Sequence, residues 1–211
     1  MTIEDPVEYR LEGVNQIQVS ERVGLSFGAG LRAILRADPD VIMVGEMRDR
    51  DSAHMAIDAA LTGHLVLSTL HTNDAPGAPM RLVDMGMEPY LVASAINCVI
   101  AQRLARKLCQ SCRKPMTVPG AHVDRPELEE FQIFDAAGCP RCRQTGYDGR
   151  IGIYEIMGIT DPIRQMIVTR AATHDLRRVA LEEGMTGLRE DGMAKVRSGL
   201  TTLAEMGRVL G

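Results

Sequence analysis

Two apolar runs separated by a helical pattern constrain this chain most. Val41, Ile42, Met43 and Val44 lead into Gly45 and Glu46, and "HLVLSTL" at 64–70 leads into His71. Between them lies "AHMAIDAALTG", with Asp51 or Ser52 as its N-cap and Gly63 as its stop. Short continuous apolar runs are how strands buried on both faces read, and strand–helix–strand order joins them in parallel. Upstream, "VNQIQV" at 14–19 alternates apolar and polar residues as a half-buried strand does. "LSFGAGLRAILRADPD" then predicts a helix over 27–37, capped by Ser26 and closed by Asp38-Pro39. The first hundred residues therefore predict an α/β fold, a parallel sheet covered by helices. Two of its strands end in a polar group, Glu46 and His71, at their carboxyl ends, where open α/β sheets bind ligands.

A chain of 211 residues is long enough to bury a core. With aromatics at 3% and no Trp, that core rests on aliphatic residues and 13 Met. Few aromatics leave little surface for base stacking, and a net charge of −4 offers no global attraction to nucleic acid. The stretch "LVASAINCVIA" at 91–101 is too short to span a bilayer and carries Ser94 and Asn97, so no transmembrane segment is expected. The N-terminal "MTIEDPVEYR" has neither a basic n-region nor an apolar h-region, so no signal peptide and a cytoplasmic setting are expected.

Residues 75–108 predict helix, ending in the basic "AQRLARKL". Cys98 falls inside that helix and reads as a small buried hydrophobe. The composition then shifts. Residues 109–147 hold Cys109, Cys112, Cys139 and Cys142 in the spacing C-x2-C-x26-C-x2-C. Each C-x-x-C lets two thiolates approach one ion, and four thiolates complete a closed tetrahedral Zn2+ site of structural type. Two reduced or redox-active pairs are the alternative. The 26 intervening residues predict a short helix of their own. Beyond 148, "GRIGIYEIMGI" predicts a strand, followed by three short helices signalled by Asp161-Pro162, by Thr173, and by Thr202 with Glu205.

Taken singly, the remaining polar residues are ambiguous. Glu4, Asp5 and Glu8 in "TIEDPVEY" end an apparent strand before a Pro-enforced turn, which also describes a solvated loop. His64 and His71 bracket a strand, where a lone histidine is more often structural than catalytic. Arg32 and Arg36 share a helix face and could pair with surface acids.

Together, "TIEDPVEY", "GLSFGAGLRAILRADPDVIMVGEMRDRDSAHMAIDAALTGHLVLSTLHTNDA" and the tetracysteine spacing resemble the secretion ATPases of the type II secretion and type IV pilus assembly family, from Thr2 to nearly the C-terminus. Within that family "TIEDPVEY" is similar to the Asp box, "VIMVGE" to the Walker B strand and "TGHLVLSTLHT" to the His box. The resemblance implies the C-terminal part of a RecA-like P-loop NTPase core over 1–105, a zinc-binding module over 106–147, and a strand plus helical subdomain over 148–211. It implies ATP and Mg2+ as ligands of the complete enzyme, with Glu4 as water activator, Glu46 acting at the magnesium and its waters, and His71 sensing or contacting the γ-phosphate. Arg32 and Arg36 become charge stabilisers that could reach a neighbouring subunit of a homohexamer.

The family's phosphate loop, G-x-x-x-x-G-K-[ST], lies upstream of the Asp box, and residues 1–211 contain no such motif. Little ATP turnover is expected of these residues alone, and strands in 2–70 are expected to lack sheet neighbours. The tetracysteine module favours assembly or secretion over retraction within the family pattern. Arg106, Lys107, Arg113, Lys114, Arg141 and Arg143 around it form a positive cluster, read either as a docking surface for inner-membrane platform proteins or as a solvated rim. The location implied is cytoplasmic, peripheral at the inner face of the cytoplasmic membrane. A zinc-stabilised partner-binding module or non-hydrolysing remnant is the competing function. Nucleic-acid binding is a third, disfavoured by composition.

Overall fold

Alternating side chains sort the first strands into an apolar and a mixed face. A computed structural model describes residues 1–116 and 133–211, and the chain divides into two units, residues 1–99 with 157–182 and residues 100–156 with 183–211. The first unit is built on strands β1 (Thr2–Glu4), β2 (Gln16–Gln18), β3 (Val41–Val44) and β4 (Leu65–Ser68), in the order β2-β1-β3-β4. All three pairings are parallel, with Thr2 opposite both Gln16 and Met43, and Val41 opposite Leu65.

Ile3, Ile42 and Val44 point to one face and are fully buried with Leu31, Ile34, Ala56 and Ala59. Those partners come from α1 (Phe27–Leu35) and α2 (Arg50–Leu61), so the two predicted helices cover that face. On the other face lie Thr2, Glu4, Gln16 and Gln18, and beyond them Val41, Leu65 and Leu67, which are exposed.

Helix α1 starts where predicted, since Ser26 Oγ accepts from Ala29 N at 3.2 Å, but it ends at Leu35. Helix α2 is capped by Asp49 rather than by Asp51 or Ser52. Asp49 Oδ1 accepts from Ser52 N at 2.7 Å, which draws Ser52 into the first turn as a buried residue. Gly63 takes a φ of 105° just past the helix, the left-handed conformation that only a residue without Cβ adopts cheaply. His64 then closes that end of the helix, its Nδ1 lying 2.9 Å from Ala59 O.

The stretch 75–108 is not all helix. Helices α3 (Gly77–Asp84) and α4 (Pro89–Ala95) occupy its first part, and Cys98–Leu108 forms strand β5. Pairing with β8 (Tyr147–Gly158) overrides the helix propensity of "AQRLARKL". Cys98, as the first residue of that strand, is exposed rather than buried.

In the second unit Ala105, Ile133, Ile153, Val196 and Met206 make the core. Strands β6 (Arg113–Met116) and β7 (Ile133–Ala136) pair antiparallel. The short helix expected between the cysteine pairs falls on residues outside those described. Four helices follow β8 instead of three. Helices α5 (Asp161–Val168) and α6 (Thr173–Glu182) belong to the first unit, and α7 (Leu188–Arg197) and α8 (Leu203–Leu210) to the second. Helix α7 escapes the sequence reading because its N-cap, Gly187, has no side chain to announce it. Among the described residues no helix is long and apolar enough to cross a membrane.

Candidate active site and metal centre

Parallel strands share a direction, so the carboxyl ends of β1, β3 and β4 lie side by side, and each delivers a polar residue there. Glu4 closes β1. Gly45, just past β3, donates its N–H to Ile3 O at 2.8 Å. A Cβ at Gly45 would lie 3.2 Å from Ile3 O and 3.3 Å from Glu4 Cα, so the two chains run this close because residue 45 is glycine. The next residue is Glu46. Past β4, Thr69 donates its hydroxyl to Gly45 O at 2.7 Å and accepts at its own carbonyl from Met47 N at 3.1 Å, which fixes the chain leading to His71.

Glu46 and His71 meet, with His71 Nε2 3.2 Å from Glu46 Oε2. The Glu46 side chain is largely buried, whereas His71 is open to solvent. The other carboxylate oxygen of Glu46 takes a short hydrogen bond from Arg48, whose guanidinium also lies 3.8 Å from Asp5. The Arg48 hydrogen bond holds the Glu46 carboxyl below the usual carboxylate range, against the cost of burial and with help from His71. A chain of polar contacts, Asp5–Arg48–Glu46–His71, thus crosses three strand ends. Arg48, two residues after Glu46, is missed by reading the sequence. An arginine beside an acid says nothing by itself about which acid it will meet.

Glu4 is held separately. Its Oε1 accepts from Thr2 Oγ1 at 2.6 Å and from Gln16 Nε2 at 2.9 Å. Arg32 on α1 and Arg36 just past its end are both exposed. Arg32 Nη1 lies 3.9 Å from Met55 Sδ, and no hydrogen bond or ion pair joins either arginine to Glu4, Glu46 or His71 among the described residues.

In the second unit the four cysteines converge. Cys109 and Cys139 sulfurs are 3.9 Å apart, Cys112 and Cys142 3.8 Å, and Cys139 and Cys142 3.7 Å, with all four within 4.8 Å of one another. A disulfide needs a separation of about 2.0 Å, so these are thiols. A tetrahedron with metal–sulfur bonds of about 2.3 Å has edges of about 3.8 Å, which matches the spacing, and the donor set fits Zn2+. Burial opposes ionisation of Cys142, but backbone N–H groups of Cys139 and Gly146, each 3.2 Å from its sulfur, together with hydrogen bonds from the Cys139 and Cys112 thiols, more than offset this and lower its pKa. The arrangement is closed, with no protein-free fourth position for a substrate.

The basic cluster around this centre is partly consumed by internal contacts. Arg106 binds Glu205. Arg113 donates to Gly199 O at 2.8 Å and stacks 4.4 Å over Phe134, while Arg141 lies 3.6 Å from Asp148.

Residues 1–208 match the protein family described as Type II/IV secretion system protein. The chain is 52% identical over 209 residues to the type II secretion system protein HxcR of Pseudomonas aeruginosa, covering 99% of the chain and 42% of that protein. It is 46% identical over 211 residues to the type IV pilus assembly ATPase PilB of Myxococcus xanthus, covering 97% of the chain and 37% of that protein. The chain thus spans less than half the length of these relatives. Among solved structures, the ADP-bound pilus retraction motor PilT superposes with a TM-score of 0.68 at 31% identity, over 97% of the chain and 50% of PilT. The ATPase DotB of Legionella pneumophila shares the fold, with a TM-score of 0.67 at 21% identity over 98% of the chain and 50% of DotB.

Proposed function

The chain belongs to the Type II/IV secretion system protein family, and on that premise we propose that it is the C-terminal part of a hexameric ATPase that drives assembly of a type II secretion pseudopilus or a type IV pilus. The observation that carries this reading is the meeting of Glu46 and His71, 3.2 Å apart, at adjacent parallel strand ends, with Glu4 closing the neighbouring strand β1. Phosphoryl transfer to water needs a group to orient the water, an acidic anchor near the metal and donors facing the γ-phosphate. Glu4 takes the first role, Glu46 the second and His71 the third. Mg2+, when bound with ATP, supplies the charge that neutralises the transferring phosphate. Arg48 balances the charge of Glu46. Arg32 and Arg36, exposed and without contact to these residues, act across a subunit boundary on a neighbour's nucleotide.

Cys109, Cys112, Cys139 and Cys142 hold a structural Zn2+ that braces the second unit. Lys107, Lys114 and Arg143, which join no ion pair among the described residues, face membrane-platform partners at the inner face of the cytoplasmic membrane. Residues 1–211 alone turn over ATP negligibly, because the backbone N–H groups and lysine of a phosphate loop supply most of the phosphate grip.

The test is an ATPase assay on residues 1–211 and on the same residues joined to a half that carries the phosphate loop. The joined protein is expected to hydrolyse ATP, with Glu46→Gln abolishing turnover, while residues 1–211 alone stay at background. Robust turnover by residues 1–211 that Glu46→Gln abolishes would refute the division of labour. Turnover in the joined protein indifferent to Glu46→Gln would refute the site.

A further inference from the structure

Thr2 and Gln16 sit opposite each other on β1 and β2, and Glu4 is two residues beyond Thr2, so all three side chains leave the same face of the sheet. Two donors converge on one oxygen there. Glu4 Oε1 accepts from the Thr2 hydroxyl at 2.6 Å and from the Gln16 amide at 2.9 Å, whereas Glu4 Oε2 has no hydrogen-bond partner among the described residues.

Gln16 is itself locked. Its Oε1 accepts from Leu11 N at 2.7 Å and its Nε2 also donates to Tyr9 O at 3.0 Å. The amide can point only one way, since a flip would set its NH2 against the Leu11 N–H and its oxygen against Tyr9 O and the Glu4 carboxylate. Thr2 is buried, so its hydroxyl has little freedom. A carboxylate that turns freely about its last torsion spreads its lone pairs over many directions. One gripped at a single oxygen by two fixed donors presents the other oxygen in one direction.

We propose that Thr2 and Gln16 are a positioning pair for Glu4, gripping Oε1 so that Oε2 is aimed at the reactant. The inference rests on the role given to Glu4 above. It adds a task for the loop over 5–15: by binding Tyr9 and Leu11 through Gln16, that loop sets the aim of the carboxylate.

Two substitutions separate positioning from loop support. Gln16→Glu keeps an oxygen for the Leu11 N–H but loses the donor to Glu4 and to Tyr9 O and sets a second carboxylate against Glu4, so Thr2→Val is the cleaner of the two. Thr2→Val loses the other donor and leaves the loop untouched. In the complete, phosphate-loop-bearing enzyme each is expected to lower kcat by about tenfold or more, with KM for ATP and the Kd of a fluorescent ADP analogue within about threefold. Because both act through one oxygen, the double variant should fall little below the worse single, and in a Glu4→Gln background neither should have a further effect. Amide exchange at Leu11 should stay slow in Gln16→Glu.

Losses that multiply, losses that persist in the Glu4→Gln background, or a normal kcat in either single variant of an enzyme that Glu4→Gln inactivates would overturn the pairing while leaving Glu4 its role. A normal kcat in Glu4→Gln itself would remove that role, and this inference with it.

Discussion

Glu205 is the sharpest point at which the second unit can be perturbed. It lies in the first turn of α8 with its side chain fully buried. It accepts from Arg106 N at 2.8 Å, Arg106 Nε at 2.9 Å and Nη2 at 2.7 Å, and from Arg208 Nε at 2.9 Å, which ties α8 to β5 across 99 residues of sequence. Hydrogen bonds from Arg208 and Arg106 outweigh burial and pull its pKa from 4.5 to about 2. At about 1.4 kcal/mol per unit, that preference for the ionised form is worth ~3 kcal/mol. Glu205→Gln removes the charge and keeps the shape. The two arginines are 48% and 56% exposed and return to water at little cost. The loss then falls on the charge-assisted bonds and on the Arg106 backbone N–H, for an expected destabilisation of ~3 kcal/mol at pH 7.

Denaturant unfolding of the zinc-loaded chain, followed by a probe in the second unit, measures this difference. The folded pKa lies below the unfolded one, so the contribution is complete above pH 4.5 and is lost as pH falls toward about 2. The gap between wild type and Glu205→Gln should therefore close over that window, and comparing the two proteins at each pH cancels shared acid effects such as zinc release. A gap under about 0.5 kcal/mol at pH 7, or one that does not narrow in acid, would refute the account, the former because a substitution with no special mechanism already costs that much.

Zinc should purify with the chain at one ion per molecule, counted by elemental analysis, and Cys142→Ser should abolish it. A chelator should then lower the melting temperature of the second unit while leaving the first unchanged. In the first unit, Gly30→Ala would drive a Cβ into the buried Ile3 side chain. Overpacking of about 1–3 kcal/mol should exceed the helix-propensity gain of about 1 kcal/mol and lower stability in urea. Arg48→Ala should raise the pKa of Glu46 in a carboxyl-carbon NMR titration of the nucleotide-free chain, since the Arg48 hydrogen bond is the largest influence holding it down.

The parts of the fold legible in the sequence are those where local pattern and tertiary demand agree. Val41–Val44 and the apolar stretch before His71 could hardly be anything but strands, and Ser26 announced its helix by chemistry. Residues 98–108 were illegible because two readings of them are consistent. Ala101, Ala105 and Leu108 are buried and spaced by four and three, as on a helix, in a segment rich in good helix formers. The strand that forms instead half-buries Arg103 and Lys107 at the alternate positions. Only the partner strand, with Ile153 and Met157 facing inward forty or more residues away, decides between them.

The site divides along the same line. Parallel pairing is a consequence of strand–helix–strand order, so a sequence reading can set Glu46 beside His71 before any coordinate is known. What it cannot supply is register. Gln16 meets Glu4 only because β1 and β2 align residue 2 with 16; a slip of one would send Gln16 to the helix-covered face and Ile17 to the polar one. That register is held from the opposite face, where Ile3 packs within reach of Gly30 and Ile17, and a side chain at residue 30 would push directly against Ile3. Gly30→Ala is thus also a probe of the carboxylate. If the apolar face sets the register, it should disturb Glu4 in the complete enzyme, lowering kcat through a contact that no reactant touches. A Gly30→Ala enzyme with lowered stability and full kcat would show instead that the Thr2–Glu4–Gln16 contacts hold the register by themselves.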